Sequence, residues 1–294
     1  MFRGSMMMIL AGVFWGASGT LQAFGPEGIS PLVLGAIRIT VGGLCLTAFV
    51  LYREGPKAFS GRWPWSSVLM ASAGMALYQQ FFFASILRTG VAVGTMVAIG
   101  SSPVMGGLLG RLFLGERLTA RWMGATVAAV TGCVLLSLGG SLTVDLVGIA
   151  LALCAGVAFG FLGMGMKKAQ EGRSSLAAIA LCMTLGAVMA SPAFLLGDTG
   201  WIFTSRGISI ALVLGAVSTA IPYGLYSTAL KVVPVSTACT LTLAEPLTAA
   251  IFGVSLLGER LSIPALAGIG FILFGLLLLS MPVRRSFISN DRMS

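Results

Sequence analysis

The sequence has no histidine and only three aspartates (Asp145, Asp198 and Asp291), and charged residues fill just 9% of its 294 positions. Each shortage removes a class of function. Without histidine, neither a Ser-His-Asp triad nor an HExxH zinc site can be assembled. The aspartates fall in expected loops or near a terminus, so the carboxylate pair of an intramembrane aspartyl protease is missing. No GxxxxGK[ST] phosphate loop occurs, and no Cys/Asp cluster has metal-ligand spacing. The expectation is a protein that is not an enzyme and uses neither cofactor nor metal. Cysteine is scarce too: Cys45, Cys133, Cys154, Cys182 and Cys239 are odd in number and lie inside apolar runs. They read as small packing residues rather than as a disulfide framework. Soluble domains carry about a quarter charged residues, so a soluble fold is excluded.

What is present is apolar. Hydrophobic residues make up 57% of the chain, with 40 glycines and a mean hydropathy of +0.99. A bilayer core of about 30 Å is crossed by about 20 helical residues. Breaking the chain at charges and Gly/Pro turns leaves ten apolar segments, near 4–24, 31–52, 64–87, 91–113, 120–138, 146–166, 175–197, 207–230, 235–257 and 263–281. Arg3 ahead of the first run imitates a signal peptide, but the spacing of Gly12, Trp15, Gly16 and Gly19 is reproduced later in the chain, and the run is kept as a helix. The 18 lysines and arginines, which give a net charge of +9, are scattered between runs and form no patch for nucleic acid. With the N-terminus in the cytoplasm, fourteen of them fall on the cytoplasmic side and three on the other, and Arg38 lies within the second segment. The positive-inside rule therefore predicts both termini in the cytoplasm.

The chain repeats itself. Residues 11–16 (AGVFWG) match residues 155–160 (AGVAFG) at an offset of 144. At an offset of 143, Pro103 matches Pro246, LGERL at 114–118 matches LGERL at 257–261, and Leu135-Leu136-Ser137 matches Leu278-Leu279-Ser280. Five segments per repeat is an odd number, so the second half must enter the membrane from the opposite face. The expectation is an all-α membrane protein of ten transmembrane helices in two inverted repeats, 1–140 and 141–294, around a central cavity. Secondary transporters share this architecture, with a midplane site and alternating access.

The WG pair, the mid-helix prolines, the LGERL segments and the five-plus-five plan resemble the EamA branch of the drug/metabolite transporter superfamily. Within it the chain looks most like YddG-type bacterial inner-membrane exporters of aromatic and other neutral amino acids. The resemblance implies efflux of small metabolites across the inner membrane. The partners expected are a small-molecule substrate and the lipid bilayer, with no nucleic acid and no obligate protein partner. A drug, nucleoside or lipid flippase, or a channel, on the same fold is the alternative.

Several residues stand out as candidates. Glu245 lies roughly 15 Å from one end of its helix, near the bilayer centre, where an acid is a functional candidate by default. Its repeat equivalent is Ser102. Glu245 and Arg38 either form a buried pair or hydrogen-bond to backbone, stabilising the packing, or Glu245 binds a substrate ammonium or a proton while Arg38 attracts a carboxylate. Pro103 and Pro246 should kink their helices and displace the carbonyls of Ile99 and Thr242, either as plain kinks or as gates. Thr95, Ile99, Ser102 and Gly106 share one helical face, and Ala238, Thr242, Glu245 and Ala249 share another. Trp15, Tyr78, Gln79 and Tyr223 offer rings and polar handles for an amphipathic substrate, although each suits packing equally well. The substrate-binding set is thus Trp15, Tyr78, Gln79, Ser102, Tyr223, Thr242 and Glu245. The LGERL segments read as turns, Gly stopping one helix before the next. Trp63 and Trp65 read as interfacial belt residues.

Overall fold

The computed structural model describes residues 2–23, 29–137, 145–257 and 262–281, which contain helices and turns and no strand. Among the described residues there are eleven α-helices: α1 Phe2–Ala23, α2 Pro31–Glu54, α3 Trp65–Leu114, α4 Ala120–Ser137, α5 Leu146–Ala169, α6 Ser175–Ala190, α7 Ser205–Leu212, α8 Ile221–Leu230, α9 Val235–Leu241, α10 Ala244–Leu257 and α11 Ile263–Ser280. An all-helical plan is what lipid demands, because a helix satisfies its backbone polar groups internally. Among the described residues, seven helical stretches are long and apolar enough to cross a membrane: Pro31–Glu54, Val93–Leu114, Leu146–Ala169, Ser175–Leu195, Ser205–Leu230, Val235–Leu256 and Ile263–Ser280. Ala120–Leu136 is a shorter apolar helix.

Three interruptions shape the bundle. First, α3 is 50 residues long but folds back on itself at Gly90, whose φ of 79° and ψ of 166° no other residue type accepts readily. A Cβ at Gly94 would lie 3.1 Å from the Ile86 Cα, whereas along an unbroken helix those residues would be about 12 Å apart. The third and fourth expected segments are therefore the two arms of one helical run. Second, α7 passes into α8 through a π-helical stretch, Val213–Ala220. Third, a turn at Thr242 and Leu243 separates α9 from α10.

Helix ends are capped locally where the sequence supplies a cap. Asp145 accepts from the Gly148 amide (3.0 Å), Ser174 from Ala177 (3.3 Å), and Ser262 from Ala265 (3.3 Å). One end of the bundle gathers most of the described cations. There Ser174 donates to Glu54 (2.9 Å), Lys231 to the Arg173 carbonyl (2.8 Å), and Arg173 to the carbonyls of Ser60 (3.0 Å) and Arg62 (2.5 Å). We call this the basic end. Trp63 belongs to its packing rather than to a belt: it is buried, donates to the Phe59 carbonyl (2.9 Å), and lies beneath the Arg173 guanidinium at 4.1 Å. Trp65 is exposed, as a belt residue would be. At the opposite end Arg88 pairs with Asp145 at 3.4 Å. Residues 258–261 of the second LGERL segment and the basic tail with Arg284, Arg285 and Arg292 lie outside the described residues.

Candidate functional site

A cavity of about 470 Å³ opens between α1, α2, α3, α5, α8 and α10. Spacing along each helix explains which side chains reach it. Leu34 and Arg38 are one turn apart on α2, and Tyr78, Phe82 and Ile86 are successive turns of one α3 face. Ile29 and Pro31, where α2 begins, also line the cavity, so it extends toward the end opposite the basic one.

The walls are aromatic. Trp15 meets Tyr223 edge-on at 5.0 Å and Phe159 at 6.1 Å, Tyr78 leans on Phe159 at 5.2 Å, and Tyr78 stacks on Phe82 at 5.7 Å. Such pairs hold rings in fixed orientation and leave a rigid apolar wall. Phe159 was not among the expected site residues, yet the repeat contains the signal: at the offset of 144 it is the counterpart of Trp15.

Two opposite charges enter this wall. Arg38 is only 7% exposed and makes long contacts of 3.5 Å to the Thr219 hydroxyl and the Ser218 carbonyl, at the end of the π-helical stretch. Glu245 is half-buried in the first turn of α10, where the positive end of the helix dipole favours a carboxylate. Both side chains line the cavity, but they form no ion pair with each other. Of the two structural alternatives, Arg38 takes the hydrogen bond to backbone, and the direct pair with Glu245 is not formed. The guanidinium turns toward the backbone of the widened helix instead.

Of the expected binding residues, Trp15, Tyr78, Gln79, Tyr223 and Glu245 line this cavity, as does Pro246. Ser102 and Thr242 do not. Both are buried, and their hydroxyls return to their own helix, to the carbonyls of Ile99 (2.8 Å) and Cys239 (2.9 Å). Pro103 is also absent from the lining, and helical dihedrals continue through it, whereas near Pro246 the helix is interrupted. There the Glu245 amide closes on the Thr242 carbonyl at 2.9 Å, and the helix restarts with proline in its first turn, where no donor is needed. Thr95 and Ala249 join the lining from the two expected faces, whereas Gly106 packs against Cys239.

A bundle of long apolar helices around an internal cavity lined by an arginine and a glutamate suits a membrane transport protein. The sequence profile of the EamA-like transporter family matches residues 2–138 and again 146–281, and the chain belongs to that family. It is 38% identical over 286 residues to an uncharacterized transporter, YwfM, of Bacillus subtilis (strain 168), covering 96% of this chain and 95% of the relative. It is 30% identical over 293 residues to the threonine/homoserine exporter RhtA of Escherichia coli (strain K12), covering 95% and 91%. A crystal structure that is 18% identical superposes with a TM-score of 0.81 over 94% of this chain and 95% of the other. The protein is a membrane transporter and not an enzyme.

Proposed function

We propose that the chain is a secondary exporter of small neutral amino acids, aromatic ones included, working by alternating access across the bacterial inner membrane. In this reading ten spans form two inverted five-helix repeats, 1–140 and 141–294, with both termini cytoplasmic and the cavity as the substrate site. The two separate matches to one family profile support the duplication, and the excess of cations at the basic end supports the orientation.

The observation that carries the substrate class is that Arg38 and Glu245 both line one aromatic cavity without a direct ion pair between them. A buried charge without a counter-ion is expensive. A zwitterion relieves both charges at once, its carboxylate toward Arg38 and its ammonium toward Glu245, with the side chain against Trp15, Tyr78 and Phe159. Pro246 and the break beside it supply the movable wall, while Gln79 adds a polar handle. The relative that exports threonine and homoserine handles substrates of this chemistry.

The test is counterflow in proteoliposomes, with and without a pH gradient, using threonine, homoserine, phenylalanine and tryptophan beside their decarboxylated and deaminated analogues. Saturable exchange of at least one zwitterion, with weak exchange of its single-charge analogues, is the expected result. Failure of every neutral amino acid overturns the assignment, and unsaturable conductance would indicate a channel.

A further inference from the structure

Glu116, in the first LGERL segment, does more than follow a turn. Gly115 ends α3 in the left-handed conformation (φ 65°), and the Glu116 amide closes on the Gly110 carbonyl at 3.0 Å. The carboxylate then folds back over the last turn of α3. Glycine at 110 leaves it room, since a Cβ there would lie 2.6 Å from Oε2. From this position Glu116 accepts from the Val235 amide (2.6 Å), the Ser236 amide (3.0 Å) and the Ser236 hydroxyl (2.7 Å), with Lys167 Nζ at 3.8 Å. Lys167 in turn donates to the Val233 carbonyl at 2.9 Å.

The arrangement differs from the other caps in the molecule. Helices α5, α6 and α11 are capped by the residue directly before them, whereas α9 begins after Pro234, which has no capping side chain. Its amides are satisfied from across the bundle. Capping alone would need only a serine or aspartate at that position. The remote carboxylate also ties α3, α5 and α9 together at the basic end, with a side chain only 9% exposed. Charge-assisted bonds of this kind are about twice as strong as neutral ones.

What the tie closes is the route from the cavity to the basic end. Below Trp15 and Phe159 sits Tyr226, at 5.8 Å and 5.6 Å from their rings, fully buried and with no partner for its hydroxyl. Gly163 lies between that hydroxyl and Val235: a Cβ there would be 2.7 Å from one and 3.0 Å from the other. An orphaned buried hydroxyl opposes the closed packing, and the Glu116 cluster holds against it. We infer that Glu116 is a releasable latch that keeps the basic end shut while the cavity is open at the other end. The inference rests on the alternating-access reading but not on the identity of the substrate.

Cys239, one turn into α9 and fully buried, is a native reporter. With the other four cysteines replaced by alanine, its labelling by a maleimide applied at the basic end is measured with Glu116 intact and in Glu116→Gln. A parallel protein carries Ser18→Cys in the cavity wall, with Cys239 also replaced, and is labelled from the opposite end. Removal of the latch is expected to raise Cys239 labelling about tenfold and to lower Ser18→Cys labelling, a reciprocal shift of one equilibrium. Glu116→Asp, one methylene too short to span both amides, should move both rates in the same directions by less, and serves if the glutamine variant does not fold. A rise at both sites would mean local loosening, and no change at either would mean a simple cap; both results overturn the latch. A reciprocal shift in a protein that exchanges no amino acid would leave the latch standing and remove only the substrate assignment.

Discussion

Pro103 and Pro246 occupy matching positions in the repeated sequence, yet the backbone passes them differently. Around Pro103 the helix is continuous, and the neighbouring Ser102 returns its hydroxyl to the Ile99 carbonyl that the proline leaves without a donor. Around Pro246 the helix stops and restarts, and Glu245 occupies the new first turn facing the cavity. A serine can satisfy its helix locally, whereas a carboxylate has no proton to give a carbonyl and is better placed at a helix N-terminus. One substitution between the halves thus accompanies both a backbone break and the only described acid in the cavity wall.

The largest expected effect tests that asymmetry directly. Glu245→Gln should reduce counterflow of a transported zwitterion by about 100-fold, the loss of one buried charge-assisted contact. Ser102→Ala should stay within about twofold, because its bond is local. Full transport with unchanged pH dependence in Glu245→Gln would remove Glu245 from the site.

The repeat-equivalent glycines Gly16 and Gly160 sharpen the comparison through packing. A Cβ at Gly16 would collide with the Glu245 carbonyl, which is backbone and cannot turn aside, while at Gly160 it would meet Leu109 Cδ1 at 2.7 Å, the end of a flexible side chain. Gly16→Ala should destabilise by about 1–3 kcal/mol, and Gly160→Ala by clearly less. Thermal unfolding of the purified protein in detergent measures both, and equal losses would break the comparison.

Trp15 and Phe159 are the aromatic counterparts. Trp15→Leu and Phe159→Leu should each raise KM about three- to tenfold, the value of a ring pair, without abolishing transport. The smallest effect lies outside the membrane-spanning helices. The Gly148 amide, and after it the Arg88 guanidinium, hold the exposed Asp145 carboxyl below its ordinary value. A depressed carboxylate stabilises the fold above its unfolded pKa of about 4 and loses that contribution as pH falls through the folded value. The Tm difference between Asp145→Asn and the unaltered chain should therefore be present at pH 7 and close below about pH 4.

Much of this was legible in the residues. Apolar run lengths mark out the helices, and the repeat pairs the prolines and the two LGERL segments. Glu245 and Arg38 stand out because they interrupt apolar runs, where lipid makes any charge conspicuous. The break at Gly90 was legible too, since Arg88-Thr89-Gly90 parts the third and fourth expected segments, whereas the π-helical stretch left no readable mark because it lies within apolar sequence that favours helix throughout. Ser102 and Thr242 share helical faces with cavity residues, but hydroxyls in a helix have a nearby carbonyl to bond, and the sequence does not show that they take it. Glu116 looked like a turn residue because its partners, Val235 and Ser236, lie more than a hundred positions away.

By itself, then, the sequence determined that the chain is helical, membrane-embedded and internally repeated, because hydropathy and composition act over every residue and survive any packing. Only the tertiary structure decided that Arg38 and Glu245 share a cavity without pairing, that two expected ligands turn away, and that Glu116 caps a helix from across the bundle. Those outcomes depend on directions and distances of a few ångströms between segments far apart in the chain, which no local pattern encodes.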